Sequence, residues 1–335
     1  MRRALSRVAY AALVGAGTAR IFRHANRGRL AVLMYHGLHA GEADAVMNFD
    51  GLHLHVARFE RQMRYLARHY RVVPLEESAE PGAPGRVVLT FDDGYASVYR
   101  HAFPVLDRLG LPATVFVATD FVGGGGLMWW DRLRLAVRNT RAAALTLDAG
   151  RGPERWATGT TAEKVATVRA LHARLEALAP AARGRLLDAL DGGRPARDRA
   201  LVEPMTLEQM RAMAGRGIAF QSHGVSHCAF GTLSTAALIA EVRESRAILE
   251  GWLGRPVRWL AYPFGDRDRR AREALAAAGY AGAVSCREAL GGPGDDPFAI
   301  PRIAVGDPIS HAQFVAALSG LRALGRLVRR AEPVA

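Results

Sequence analysis

Four short apolar runs in this chain each break off in a polar cluster, and amphipathic stretches separate them. Leu30, Val32, Leu33 and Met34 run into Tyr35-His36, and Val87 to Phe91 into Asp92-Asp93-Gly94-Tyr95. Ile218 to Ser222 runs into His223-Gly224-Val225-Ser226-His227, and Arg258 to Tyr262 into Pro263-Phe264-Gly265. Ala113 to Ala118 and Ala281 to Ser285 are further strand-like runs. Helical spacing fills the intervals, as in residues 56–69 with Phe59, Met63 and Leu66, and again over 97–109, 206–214, 234–253 and 269–278. Strands that alternate with helices pair in parallel, because the crossover helix covers the sheet face. Six or seven such units predict a distorted (β/α)7-type parallel barrel. Chemistry in such barrels sits at the C-terminal ends of the strands, where these polar clusters lie.

From Trp129 to about Leu190 the pattern is helical, rich in Ala, Arg and Leu, with no strand signal and a loop at Gly150 to Pro153. It predicts a helical insertion over about 129–200, closed by the polar linker Gly192 to Asp198. The expected organisation is a basic amphipathic N-terminal segment over 1–28, a catalytic domain over 29–320 carrying that insertion, and a basic C-terminal tail over 321–335. Val8 to Ala19 is mostly apolar but too short to span a bilayer, and Arg20, Arg23, Arg27 and Arg29 follow at once. A helix lying on a membrane surface is expected there, with a short signal peptide as the alternative. The corresponding location is peripheral to the cytoplasmic membrane or cytoplasmic, with export as the alternative.

The net charge of +13 is carried almost wholly by arginine, since Lys164 is the only lysine. An anionic membrane surface is one partner that suits this charge, and a scatter of solvated arginines is the plainer explanation. No nucleic-acid motif is present, so a nucleic-acid partner is not expected. The two cysteines, Cys228 and Cys286, make no disulfide framework and are expected to serve as small apolar residues.

Neighbouring residues on a strand point to opposite sides, so Asp92 and Asp93 need not share one job. One could hold a metal while the other works as a base beside it, or the pair could be a helix cap and a turn residue. His223 and His227, four apart, reach one metal if their segment turns. Two imidazoles and a carboxylate form a common catalytic zinc set with one position open to water. The Tyr262-Pro263-Phe264-Gly265 turn could offer backbone N–H groups to an oxyanion. His36, at the end of the first strand, is a candidate general acid.

On these residues the sequence resembles the polysaccharide deacetylase family: the NodB-homology domains of carbohydrate esterase family 4. The likeness runs from about Leu30 to Leu318 and rests on Thr90-Phe91-Asp92-Asp93-Gly94 with the downstream His223/His227 pair. The resemblance implies that Asp92 is the catalytic base and that Asp93, His223 and His227 bind a divalent metal. Zinc is the first expectation, with cobalt or nickel as alternatives. It implies that the Phe264 N–H meets the oxyanion. Tyr35-His36 resembles the circularly permuted poly-N-acetylglucosamine deacetylase branch, which would make His36 the general acid. Tyr95 and Tyr262 are candidate substrate-binding residues.

The function so implied is metal-dependent removal of N-acetyl groups from an N-acetylated saccharide, glycan or glycolipid-linked, with release of acetate. Three departures stand against it. Gly224 occupies a position where the family has Ser or Thr. Ala261 replaces the arginine that orients the base. The Asp/Trp motif that tunes the acid has no clear match. The last two favour the alternative of a catalytically weakened glycan-binding or scaffold domain of a polysaccharide synthesis system. An O-deacetylase is a further alternative.

Overall fold

The structure is a computed structural model that describes residues 2–42, 44–79, 84–148, 152–178, 180–191, 199–292 and 294–322. The expected linker at 192–198 and the tail beyond Arg322 lie outside the described residues. Two helices, α1 (Arg2–Gly15) and α2 (Thr18–Ala25), lead into β1 (Ala31–Tyr35). The short β2 (Leu38–His39) and β3 (Leu54–His55) pair with each other ahead of α3 (Val56–His69). Next come β4 (Arg71–Val72), β5 (Arg86–Phe91), α4 (Phe103–Leu109), β6 (Ala113–Val117) and α5 (Thr119–Gly124). An insertion then separates β6 from β9. It holds α6 (Trp129–Asn139), β7 (Ala144–Asp148), β8 (Pro153–Ala157), α7 (Thr161–Glu176) and α8 (Pro180–Asp191). Alternation resumes with α9 (Leu207–Ala214), β9 (Ile218–Ser222), α10 (Thr235–Leu253), β10 (Trp259–Ala261), α11 (Arg269–Ala277), β11 (Gly282–Val284), β12 (Ile303–Ala304) and α12 (His311–Ser319).

The principal strands pair in parallel in the order β11-β10-β9-β6-β5-β1-β12, with β4 added to one end of β5. Val284 of β11 bridges to Ile300, and Ile303 just beyond it pairs with Leu33 of β1. The segment 300–304 therefore touches both outer strands and brings the sheet round into a distorted (β/α)7-type barrel. Strand alternation divides the core in two. Val32, Val88, Phe116, Trp259, Ala261 and Val284 pack together inside the barrel. Their neighbours Leu33, Leu89, Val115, Phe220 and Leu260 pack outward beneath the helices, where α3 contributes Phe59, Met63 and Leu66.

The insertion is not wholly helical: β7 and β8 form an antiparallel hairpin, from Ala144 opposite Ala157 to Asp148 opposite Pro153. Leu145, Leu147 and Trp156 share one side of it and join a separate core with Leu133, Val168, Leu171 and Leu187. Five-residue strands in a stretch rich in Ala, Leu and Arg carry too few period-2 repeats to stand out against helical spacing. Val46 and Phe49, from the loop after β2, pack into the same core and tie the insertion to the barrel mouth.

Phe116 is fully buried inside the barrel, so its truncation tests that interior directly. Phe116→Ala is expected to cost about 3–5 kcal/mol. Urea denaturation should show a lower midpoint at unchanged slope. A loss under about 1 kcal/mol would mean that the barrel does not pack around this ring.

Candidate active site

Asp92 continues the inward row of β5 after Val88 and Thr90 and is almost fully buried. A buried carboxylate needs a partner, and Arg302, just ahead of β12, supplies it. Its Nη1 donates to Asp92 Oδ1 at 2.7 Å and its Nη2 to Oδ2 at 2.8 Å, a two-pronged pairing that fixes the plane of the carboxylate. Arg302 also donates to Thr90 Oγ1 at 3.2 Å and, through Nε, to the Ser285 carbonyl at 3.1 Å. Burial would raise the Asp92 carboxyl. The charge of Arg302, then that of His223, and the Arg302 hydrogen bonds outweigh it and hold the group below the ordinary carboxylate value. Ala261 does not leave Asp92 without an arginine: the guanidinium arrives from the segment just ahead of β12, 210 residues along the chain from Asp92.

The chain turns sharply at Asp93, whose φ is 76°, with the Gly94 N–H donating to the Asp92 carbonyl. That turn moves the second carboxylate out of the strand row. Its Oδ1 lies 3.5 Å from His223 Nε2 and 3.2 Å from His227 Nε2, and the two imidazole nitrogens are 3.1 Å apart. Three ligands bonded tetrahedrally at zinc distances stand about 3.3 Å from one another, so the triangle fits such an ion. Two details agree with that fit. His223 Nδ1 is 2.7 Å from the Ala261 carbonyl, to which it donates, leaving the Nε2 lone pair for the triangle. Asp93 Oδ1 is buried with no hydrogen-bond partner. Among the described residues, these are the His, Cys, Asp and Glu side chains that converge in this way, and Cys228 is not one of them.

Non-glycine residues with left-handed backbone are three among the described residues: Asp93, His227 at φ 54° and Phe264 at φ 57°. All three lie here, which is where backbone strain tends to be kept. The His227 ring is wedged between Trp130 and Phe264, with centroids 4.7 and 4.8 Å away. A cavity of about 150 Å³ is lined by Asp92, Asp93, His223 and His227 together with His36, Tyr262 and Phe264. The fold thus brings His36, at the end of β1, to the same cavity as the histidine pair.

The two tyrosines differ in where the fold places them. Tyr95 is fully buried and away from the cavity, its hydroxyl donating to Asp131 Oδ2 at 2.7 Å and accepting from Trp130 Nε1 at 3.1 Å. Tyr262 reaches the cavity as part of its wall, but its hydroxyl donates to the Phe298 carbonyl at 3.0 Å. Both hydroxyls are committed to structure before any sugar arrives.

Sequence reasoning missed the cavity wall built by α6. Trp130 lies against His227, and Asp131 is buried beneath it. Burial pushes the Asp131 carboxyl up to about 7, against the charge of Arg134 and the Tyr95 hydrogen bond, with Asp93 and Asp50 adding to the rise. Arg134 is itself buried, its Nη2 2.6 Å from Asp50 Oδ2, and both line the cavity. His53, beside Tyr95, is driven down to about 3 by burial first and then by Arg134. An Asp and Trp are therefore present at the site. Their sequence signal was the i,i+3 pair Asp131/Arg134, which reads as an ordinary helix ion pair until both are seen to be buried.

The sequence pattern of the polysaccharide deacetylase family matches residues 79–283, which span Asp92, Asp93, both histidines and Phe264. The chain belongs to this family. Membership makes it a carbohydrate deacetylase by class, a hydrolase. YxkH of Bacillus subtilis, assigned to the polysaccharide deacetylases, is 20% identical over 301 residues, covering 88% of this chain and 77% of that one. The Streptococcus pyogenes deacetylase PplD, solved with acetate, superposes with a TM-score of 0.59 at 19% identity over 87% of this chain and 98% of its own. IcaB from Ammonifex degensii gives 0.58 at 20% identity over 87% and 97%. These two structures share the fold.

Removing one partner of a buried ion pair strands the other charge. Arg302→Ala is therefore expected to lower stability by about 3–5 kcal/mol near neutral pH and to reduce turnover. The Asp92 carboxyl is depressed in the folded protein, so its stabilising contribution is present above the unfolded value of about 3.9 and disappears as pH falls through the folded value. The stability gap between wild type and variant should narrow over that acidic range. Denaturation at pH 7 and pH 3 measures it, and a gap that stays constant would mean that Arg302 does not hold Asp92 ionised.

Proposed function

We propose that this deacetylase is a metal-dependent hydrolase that removes N-acetyl groups from an N-acetylated glycan or glycolipid-linked sugar. The observation that carries the reading is one cavity holding the Asp93/His223/His227 triangle, the Arg302-held Asp92 and His36. Zinc suits two imidazoles and a carboxylate, with cobalt or nickel as alternatives. A divalent metal held there supplies Lewis acidity: it polarises the acetyl carbonyl and lowers the pKa of water from ~15.7 towards ~7.

The protein's own residues do the rest. Asp92, kept ionised by Arg302, takes the proton of the attacking water. The left-handed turn at Phe264 presents its backbone N–H to the oxyanion of the tetrahedral intermediate. His36 gives a proton to the sugar nitrogen, so that it leaves as an amine and acetate is released. His227, clamped between Trp130 and Phe264, keeps its place in the triangle. A base held by Arg302 and an acid–indole pair at Trp130-Asp131 weigh against a catalytically weakened scaffold domain.

Acetate release from N-acetylated glycans, acetylated xylan and simple amides, with and without chelator, tests this reading. Chelation should abolish release from the N-acetylated glycans and added zinc should restore it. Asp92→Asn should keep the metal and lose most turnover, whereas Asp93→Asn should lose the metal itself. Equal metal loss in both would overturn the assignment, and preference for acetylated xylan would make the enzyme an O-deacetylase.

His36 has its own signature. An amine leaves poorly unless protonated, so His36→Ala should lower kcat on the N-acetylated sugar by ~10²–10⁴. An activated acetate ester, whose leaving group needs no proton, should be hydrolysed nearly as well as by wild type. Equal losses on both substrates would make His36 structural. His311 would not replace it, because it packs against Tyr65 at 5.4 Å and does not line this cavity.

A further inference from the structure

Five large hydrophobic side chains are exposed among the described residues, and three of them, Val8 (70%), Leu13 (41%) and Ile21 (67%), sit on α1 and α2. These helices are seated on the body of the protein. Ala19 is buried, Asn26 Nδ2 donates to the Ser319 carbonyl of α12 at 3.0 Å, and Arg7 Nη2 donates to the Pro308 carbonyl at 2.9 Å. Their outer side is thereby held towards solvent. It carries no charge from Val8 to Ala19, and Ala9, Ala11 and Ala12 extend the exposed surface around Val8 and Leu13. Exposed apolar side chains gathered on two successive helices are unfavourable in water unless something covers them.

The charge around the face says what that is. The chain has no acidic residue before Glu42 and seven arginines between Arg2 and Arg29. Arg7, Arg20, Arg27 and Arg29 are exposed. An apolar helix face on a segment that carries arginines and no acidic residue complements a surface with anionic headgroups above hydrocarbon. No helix among the described residues is long and apolar enough to cross a membrane, so α1 and α2 can only lie on it.

We propose that α1 and α2 dock the protein on an anionic lipid bilayer. The geometry also relates that surface to the catalytic cavity. Arg7 of α1 borders a second cavity, of about 430 Å³, that shares Met34, His36, Asp50 and Leu52 with the first. Docking through α1 sets the approach to His36 beside the headgroups. The substrate class that fits is an N-acetylated sugar carried on a lipid. Naming the substrate rests on the deacetylase reading, whereas the docking does not.

The test uses the full chain with vesicles of phosphatidylcholine alone or with one third phosphatidylglycerol. Wild type should co-sediment with the anionic vesicles, less so at high salt, and partitioning should fall about fivefold for each exposed arginine replaced. The combined Val8→Glu, Leu13→Glu and Ile21→Glu variant should stay in solution. It should unfold at the wild-type temperature and release acetate from a soluble N-acetylated oligosaccharide at the wild-type rate. On an N-acetylated glycolipid in anionic vesicles the same variant should be slower than wild type. Wild type that fails to sediment, or a variant that sediments equally well, overturns the docking. So does a dimer that the variant splits, since a second copy would then cover the face. Sedimentation without acetate release from any substrate would instead leave the docking standing and overturn the deacetylase reading.

Discussion

The buried fork between Arg302 and Asp92 is the interaction on which the site depends. Two charges taken out of water cost several kcal/mol each, and only mutual pairing with further hydrogen bonds offsets that. Here the guanidinium is satisfied by Asp92, Thr90 and the Ser285 carbonyl, so all three must be in place for Arg302 to be buried. These partners come from β5 and from the end of β11. The pairing therefore joins the segment that closes the barrel to the strand that carries both aspartates. Arg302 is also 5.7 Å from the Phe116 ring, which seats its charge against the apolar interior.

A one-residue step along the chain separates two carboxylate settings. Asp92 obeys strand alternation and faces the barrel mouth, while Asp93 lies beyond the strand in a left-handed turn and points to His223 and His227. His227 and Phe264 adopt the same unfavourable backbone, and each is confined by aromatic neighbours. Strain of this kind persists only where packing over-determines it. The wedge of Trp130, His227 and Phe264 is such packing. It holds His227, whose Nδ1 has no hydrogen-bond partner.

The insertion has a part in the site as well as a core of its own. Its first helix, α6, sends Trp130 against His227, adds Arg134 to the cavity wall and buries Asp131 beside it. Asp50 and Phe49, from the loop ahead of β3, meet Arg134 there. A carboxyl raised to about 7 and an imidazole lowered to about 3 lie within this one network. Such opposed shifts arise because burial penalises whichever form is charged; the charge of Arg134 lowers both groups, adding to the fall of His53 and opposing the rise of Asp131.

Much of this was legible in the sequence. Apolar runs that stop at polar clusters gave the parallel barrel and the rim on which chemistry gathers. The spacing of His223 and His227 after one strand and Asp92-Asp93 after another pointed to a cluster that could hold a metal, because residues at strand ends share that rim. The hairpin of β7 and β8 was not legible, since five-residue strands repeat too little to outweigh an Ala- and Leu-rich background. Arg302 was invisible for a different reason. A pair formed across 210 residues leaves no local periodicity, and an arginine in an arginine-rich chain carries no signal until its burial is known. Tyr95 was misread because a hydroxyl beside a motif looks available until the fold shows which acceptor it already serves. The sequence by itself determined which residue types stand at the strand ends. Tertiary structure alone decided which of them are buried, paired or turned into the cavity, because burial and pairing depend on contacts between distant segments and not on spacing along the chain.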